Sequence, residues 1–513
     1  MKSPYLLASV TGLLIGTSYI PFPPWAIFFC FLPLWLTWLR ASRWQEVFWT
    51  GWLSQFVLTL IGFNWVSYTV HEFGHLPWPA ALAALLAFAS ICTLSIPLAG
   101  VVWFFYARRL QLKTEAAIVA MVALMCVGER VFPMIFDWHF GYTWLWAGFP
   151  AFHLADLLGF IGLSNLGLVF NGLFLMAWLR RQQGRAWWPW ALAPVAAFLI
   201  LNLAGAWHSR SLAKPDASAS FLVVQANIGN EEKLFAEQGE NFRDTVVSRF
   251  FSLTEQGVRE KRPIDFAVWP ETAFPDFIDD PSLSFGYPSR LREMVQRLGV
   301  PLITGGYSHM PGTRQATNSF FVLNAQGEQI TRPYHKTILL AFGEYFPGAN
   351  LWPRVREWFP EVADFARGPG PTVLNTGTLL VGSQICYEGL FDWFARQQSL
   401  LGAQVLVNLT NDSWYGAWQE PYQHLYMTLA RAVEVRRPLV RSTNTGISTA
   451  ILASGQILEL SPVHQEWQHT YEIPYLKSPP VTVFMTWGFY LFPILLMATL
   501  AGLPMLAFRR KKL

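Results

Sequence analysis

Along the first two hundred residues apolar positions run almost unbroken, and the polar positions gather in short knots between them. Stretches near 5–22, 24–39, 48–70, 79–106, 114–134, 157–179 and 187–206, with an eighth at 482–508, approach the roughly 20 apolar residues that a helix needs to cross a bilayer core. The pattern therefore predicts eight transmembrane helices. The second stretch is the weakest, and Pro21-Phe22-Pro23-Pro24 ahead of it fits either a tight re-entry or a hairpin that never crosses. The first stretch reads as a retained span, since no small-residue cleavage site stands out and further spans follow.

Between the seventh and eighth stretches the period shortens. From about 216 to 474, runs with strand character alternate with amphipathic ones, jointed by glycine, proline and charge. Strands are predicted at 221–228, 264–269, 301–305, 319–324, 379–385, 403–409, 438–442, 448–452 and 468–473, and helices at 239–257, 289–298 and 422–436. This is an α/β domain with a mixed sheet, because Phe320–Leu323, Gly327 and Ile330–Arg332 read as a hairpin. The expected organisation is a membrane region over 1–206, an α/β domain over 216–474 and a last helix over 482–508.

Composition agrees with a lipid-facing chain: 53% of the 513 residues are hydrophobic and 14% charged, which excludes an ordinary soluble or disordered protein. The net charge of +4 does not point to nucleic acid, because the basic residues flank apolar runs. With eight crossings, Lys2, Arg40, Arg43, Arg108, Arg109, Lys113, Arg180, Arg181, Arg185 and Arg509-Arg510-Lys511-Lys512 share one side, which the positive-inside tendency makes cytoplasmic. Both termini are then cytoplasmic and 207–480 is exported. Glu129 and Arg130, at the end of an apolar run, read either as a functional pair or as an ion pair bracing the bundle. His71, His75, His139 and His153 are too scattered to suggest a metal site.

Cys30, Cys92 and Cys126 fall in apolar runs without the close spacing of a zinc site, and Cys386 stands alone in the polar domain. No phosphate-binding glycine loop opens a helix there. Three strand ends carry reactive groups: Glu271 in Trp269-Pro270-Glu271-Thr272, Lys336 after Tyr334-His335, and Cys386 in Ile385-Cys386-Tyr387-Glu388. A rigid strand aims the residue that leaves it, so such positions suit catalysis. Cys386 is a candidate nucleophile, the plain alternative being an inert buried thiol. Glu271 within its reach would serve as general base, Lys336 would hold charge developing on a carbonyl oxygen, and Glu344 and Glu388 would orient the lysine or relay protons. Tyr345, Phe346, Trp352, Trp358, Trp414 and Trp418 lie on aromatic loops that either cover an acyl groove at headgroup level or simply pack. Asn411 and Asp412 are expected to bind the cysteine turn or a loop backbone, although Asn408-Leu409-Thr410 and Asn411-Asp412-Ser413 also match glycosylation acceptors.

The glutamate, lysine and cysteine stretches in this order, set between apolar spans, resemble the apolipoprotein N-acyltransferases, membrane members of the nitrilase-like carbon-nitrogen hydrolase superfamily. The resemblance covers nearly the whole chain. It implies an extracytoplasmic αββα sandwich on an eight-helix bundle in the bacterial inner membrane. It assigns Glu271 as base, Lys336 to the oxyanion and Cys386 as the acylated nucleophile, with Glu344 and Glu388 as further required carboxylates. It also implies a phospholipid acyl donor, typically phosphatidylethanolamine, a diacylglyceryl-modified apolipoprotein acceptor and no cofactor or metal. A nitrilase-like amidase whose acyl-enzyme is resolved by water shares the same trio. A transporter or scaffold carrying a degenerate copy of the domain is the other rival.

Overall fold

The computed structural model describes residues 3–72, 74–91, 94–229, 240–261, 263–279, 286–349, 351–352, 354, 357 and 363–509. Cys92, Trp358 and the start of the helix expected at 239 lie outside the described residues. The chain divides into two compact units: Leu212–Val481 with Glu72–Gly74 in one, and Met1–His71, His75–Ser211 and Thr482–Leu513 in the other.

In the apolar unit the expectation of eight transmembrane helices is overturned. Among the described residues four helices are long and apolar enough to cross a membrane: Trp78–Arg109, Pro150–Gln182, Trp188–Ser211 and Phe484–Pro504. The remaining stretches fail for different reasons. The first forms only Pro4–Gly16, and the second is mostly turns, leaving the nine-residue Leu32–Arg40. The third breaks after Gly62, and its longer piece, Trp44–Gly62, turns Thr50, Ser54, Gln55 and Thr59 into the unit's interior. The fifth, Thr114–Val131, carries Glu115, Glu129 and Arg130. Apolar runs of adequate length thus serve partly as interior packing. Glu129 and Arg130 take different partners: Ser164 Oγ donates to Glu129 at 3.0 Å, and the Arg130 guanidinium lies 4.5 Å over the Phe489 ring.

The polar unit is an αββα sandwich. Its first sheet runs in the order β11-β1-β2-β3-β4-β5 and its second in the order β10-β9-β8-β7-β6. The strands are β1 (Ala217–Gln225), β2 (Phe266–Val268), β3 (Leu302–His309), β4 (Ala316–Leu323), β5 (Tyr334–His335), β6 (Val373–Asn375), β7 (Leu380–Ile385), β8 (Val405–Thr410), β9 (Leu439–Thr443), β10 (Thr449–Ile451) and β11 (Trp467–Tyr475). Both sheets are mixed, as the sequence implied: β1, β2 and β3 are parallel neighbours, as are β7, β8 and β9, with antiparallel strands at the edges.

Helices α1 (Glu240–Glu260) and α2 (Tyr287–Leu298) cover the first sheet; α3 (Asp392–Leu400) and α4 (Glu420–Val435) cover the second. The apolar residues of α2 recur at Leu291, Met294, Val295 and Leu298, a helical stripe that packs with Val247 and Phe250 of α1 onto Leu222, Ala267 and Leu302. Gly299, at φ 65°, ends α2 in the left-handed conformation that glycine adopts without steric cost.

A polar seam joins the sheets' inner faces. Ser442 Oγ on β9 donates to Val224 O and Val268 O of the first sheet at 3.4 and 3.3 Å. Gln225 Oε1 at the end of β1 accepts from Thr443, Ser448 and Ser461 at 3.0, 2.7 and 2.9 Å. Buried polar atoms this well partnered fix one registry between sheets, which apolar packing alone specifies less sharply.

Candidate active site

The strands of each sheet end in groups that meet. Glu271 follows β2 through Trp269 and Pro270. Trp269 is fully buried against Phe250, its Nε1 donating to Thr254 Oγ1 at 2.9 Å, so the strand cannot rotate. On neighbouring β3, a Cβ at Gly305 would stand 2.5 Å from Thr272 N and 2.7 Å from Glu271 Cα. Only glycine lets the Glu271 turn lie this close. Lys336 leaves β5 and is 1% exposed.

Lys336 Nζ lies 2.9 Å from both Glu271 Oε1 and Glu344 Oε1. Asn318 of β4 repeats the bridge, its Nδ2 donating to the same two oxygens at 2.7 and 3.0 Å. The second oxygens take backbone donors, Asn411 N for Glu271 and Leu340 N for Glu344, each at 2.9 Å. Burial lowers the proton affinity of Lys336, but the carboxylates of Glu271 and Glu344, with Cys386, outweigh it and hold the ammonium well above its usual range.

Cys386 leaves β7 with φ 50°, a left-handed conformation uncommon for a residue with a side chain, and opens the 3-10 turn Cys386–Leu390. Three buried side chains brace that turn. Asn408 Nδ2 donates to Cys386 O at 3.2 Å, and Arg431 Nη1 donates to Leu390 O at 3.0 Å. Glu388 accepts from Ile385 N at 2.8 Å, Thr337 N at 2.6 Å, Ile338 N at 3.1 Å and Tyr334 Oη at 2.5 Å. Burial pushes the Cys386 thiol well up, and the carboxylates of Glu271, Asp412 and Glu344 add to this while Lys336 opposes them. The thiol is thus held toward its protonated form, in the electrostatic field of the Glu271 carboxylate and the Lys336 ammonium.

The structure thus brings Glu271, Lys336 and Glu344 into direct contact, with Cys386 in their field. It separates Glu388 from them, since that carboxylate ties the cysteine turn to the chain after Lys336. Burial pushes its carboxyl up to about 7, against the Tyr334, Ile385 and Lys336 groups that favour the charge. Glu388→Gln keeps one acceptor oxygen but turns an amide toward an N–H donor. It is expected to cost about 1–3 kcal/mol, seen as faster amide exchange in peptides covering 334–340 and 384–390.

Of the aromatic loop residues, Tyr345 packs under the Arg367 guanidinium at 4.5 Å and Phe346 meets Phe342 edge-on at 5.3 Å. Trp352 and Trp418 are more than half exposed, and Trp414 is half-buried. Sequence reasoning missed Asn318 and Arg431, which carry no motif of their own, and gave Tyr334 no role beyond preceding Lys336. It expected Asn411 and Asp412 to bind the cysteine turn or a loop backbone; Asn408 is the residue that binds that turn, and Asn411 donates its backbone N–H to Glu271.

Residues 223–471, which carry the αββα sandwich and its cluster of a thiol, carboxylates and a buried lysine, match the carbon-nitrogen hydrolase family. Residues 11–173 match the apolipoprotein N-acyltransferase N-terminal domain. The chain is 45% identical over 491 residues to the apolipoprotein N-acyltransferase of Bdellovibrio bacteriovorus, covering 94% of this chain and 90% of that one. It is 31% identical over 475 residues to that of Geobacter metallireducens, covering 90% and 88%. The chain belongs to the apolipoprotein N-acyltransferase family, and is a multi-pass membrane enzyme of the acyltransferase class. Among solved structures, Saccharomyces cerevisiae Nit3, a member of branch 10 of the nitrilase superfamily, aligns at TM-score 0.39 and 17% identity over 53% of this chain and 94% of its own. A carbon-nitrogen hydrolase from Helicobacter pylori aligns at 0.37 and 16% over 50% and 89%.

Proposed function

We propose that this enzyme moves the sn-1 acyl chain of a phospholipid, phosphatidylethanolamine above all, onto the α-amine of the S-diacylglyceryl-cysteine of an apolipoprotein, through a thioester on Cys386. The observation that carries the reading is the buried ammonium of Lys336 held between the carboxylates of Glu271 and Glu344, in the field of a cysteine on a braced left-handed turn. The names of the relatives supply the acceptor class.

In the first half-reaction Glu271 takes the Cys386 proton, and sulfur attacks the ester carbonyl carbon. Lys336 holds the tetrahedral oxyanion. As the C–O bond breaks, the proton passes from Glu271 to the departing glycerol oxygen, and lysophospholipid leaves. In the second, the neutral acceptor amine attacks the thioester carbon, Glu271 takes its proton, and as the C–S bond breaks that proton passes from Glu271 to the departing sulfur, which returns the thiol. Glu344 keeps the lysine in place by sharing its charge.

The reading puts the chain in a bacterial inner membrane with Leu212–Val481 on the periplasmic face and both termini in the cytoplasm. Support comes from Arg180, Arg181 and Arg185 before the span Trp188–Ser211, and from the basic run after Phe484–Pro504. Both clusters lie on the side opposite the catalytic segment if each helix crosses once.

Intact-mass analysis of the full chain in phosphatidylethanolamine vesicles tests the reading. One acyl group should accumulate, be absent from Cys386→Ala, and be discharged by a diacylglyceryl-cysteine peptide faster than by water. An adduct that Cys386→Ala retains, or that water clears as fast as the peptide does, overturns it; the latter result indicates a hydrolase.

A further inference from the structure

The Glu271 carboxylate owes one of its donors to a backbone amide whose aim is set by the following residue. Asn411 N donates to Glu271 Oε2 at 2.9 Å, and Asp412 beside it is gripped on both carboxylate oxygens. Arg441 Nη2 of β9 donates to Asp412 Oδ2 at 2.9 Å; His424 Nδ1 of α4 donates to Oδ1, also at 2.9 Å. A third wall is Gly446, where a Cβ would stand 2.2 Å from Asp412 Oδ2. All four residues are buried. With Asp412 fixed from three directions, the chain leaving β8 cannot turn the Asn411 N–H away from Glu271.

We propose that His424 is a positioning residue for the acyl transfer, acting through Asp412 and the Asn411 amide to hold the Glu271 carboxylate. The inference rests on Glu271 being the base, as read above. Asp412, Glu420 and His424 offer ligand atoms within 4.8 Å of one another, and Asp412 already has Arg441 as its cation and His424 Nδ1 on its other oxygen.

The charges facing His424 are Asp412 from the loop after β8, Arg441 from β9 and Glu420 one turn earlier on α4, its Oε1 3.4 Å from Nδ1. Tyr415, whose hydroxyl burial drives well up, feels Cys386, Glu420, Asp412 and Glu271 in turn, so the cluster and the nucleophile share one field. Burial and then Asp412 push Glu420 up to about 7. Burial and Arg441 work against the His424 charge, yet Asp412 and Glu420 raise its proton affinity above the usual imidazole range. Glu420 and His424 thus both lean toward their protonated forms in the field of Asp412.

The test compares His424→Asn, whose amide stands where Nδ1 stood, with His424→Gln, whose amide stands nearer Nε2. The readout is the rate of Cys386 acylation against pH, by intact mass, in phosphatidylethanolamine vesicles. A carboxylate that loses a donor holds its proton to higher pH. His424→Gln should thus move the acid limb upward by about half a pH unit or more and slow acylation about tenfold. His424→Asn should keep the wild-type limb and a rate within about threefold. If His424→Gln does not accumulate, His424→Ala is read in its place. Wild-type rates and limbs in both variants, or equal slowing with the limb unmoved, overturn the proposal. Failure of the wild type to form an adduct, or a Glu271→Gln variant as fast as wild type, would instead remove the functional reading beneath it.

Discussion

Lys336→Met is expected to slow formation of the Cys386 adduct about 10³-fold, a loss of roughly 4 kcal/mol of transition-state stabilisation. Two effects add. The oxyanion loses its charged donor, and Glu271 and Glu344, which both point an oxygen at Nζ from 2.9 Å, lose the cation between them. Two like charges left so close without a cation between them repel, which displaces the Glu271 carboxylate from its place. Removing one partner of such a buried cluster also costs about 3–5 kcal/mol of stability. The double variant Lys336→Met with Glu344→Gln separates the two, because it relieves the repulsion without restoring the donor. Its thermal midpoint should recover toward wild type while the adduct rate stays low; recovery of the rate would show that the lysine served the fold alone.

Glu271→Gln comes next in size. An amide accepts no proton from sulfur, and Cys386 is held as a thiol by burial and by its acidic neighbours. Adduct formation should fall by about 10²–10⁴, with binding of a fluorescent phospholipid largely kept, because the substitution preserves shape. The peptide-dependent discharge of a preformed adduct should fall as well, since the same carboxylate takes the amine proton. A variant slow in the first half-reaction and normal in the second would place the amine's base elsewhere.

Much of this site was legible in the sequence for a physical reason. A residue that leaves a buried strand is aimed by it, and the runs ahead of Glu271 and Cys386 are apolar enough to be recognised as strands; Lys336 follows the two-residue β5 and was marked only by the Tyr334-His335 pair before it. Their partners lacked that signal. Asn318 sits within β4, where its polarity looks like an ordinary interruption, and only the closed sheet shows it bridging Glu271 and Glu344. Asn411 acts through its backbone, which no side-chain pattern reports. Glu388 was legible as important by its nearness to Cys386, but the number of N–H groups it gathers follows from the folded turn.

The apolar unit shows where hydropathy alone misleads. Length and composition promised eight crossings, but Gln55 and Thr50 face inward on Trp44–Gly62, and Leu32–Arg40 is a short helix after a run of turns. A window of hydrophobicity does not distinguish a face turned to lipid from one turned to other helices.

The polar seam gathered around Gln225 and Ser442 has an evolutionary consequence. Glu271 and Lys336 are encoded upstream of β6 and the sulfur downstream of it, on the two leaves that this seam locks together. Hybrids spliced from two homologous genes near residue 375 would inherit the acid–base half from one ancestor and the nucleophile from the other. Their activity should track compatibility among Gln225, Thr443, Ser448 and Ser461 more closely than overall resemblance of the parents, making those four positions the first to match when recombining such enzymes.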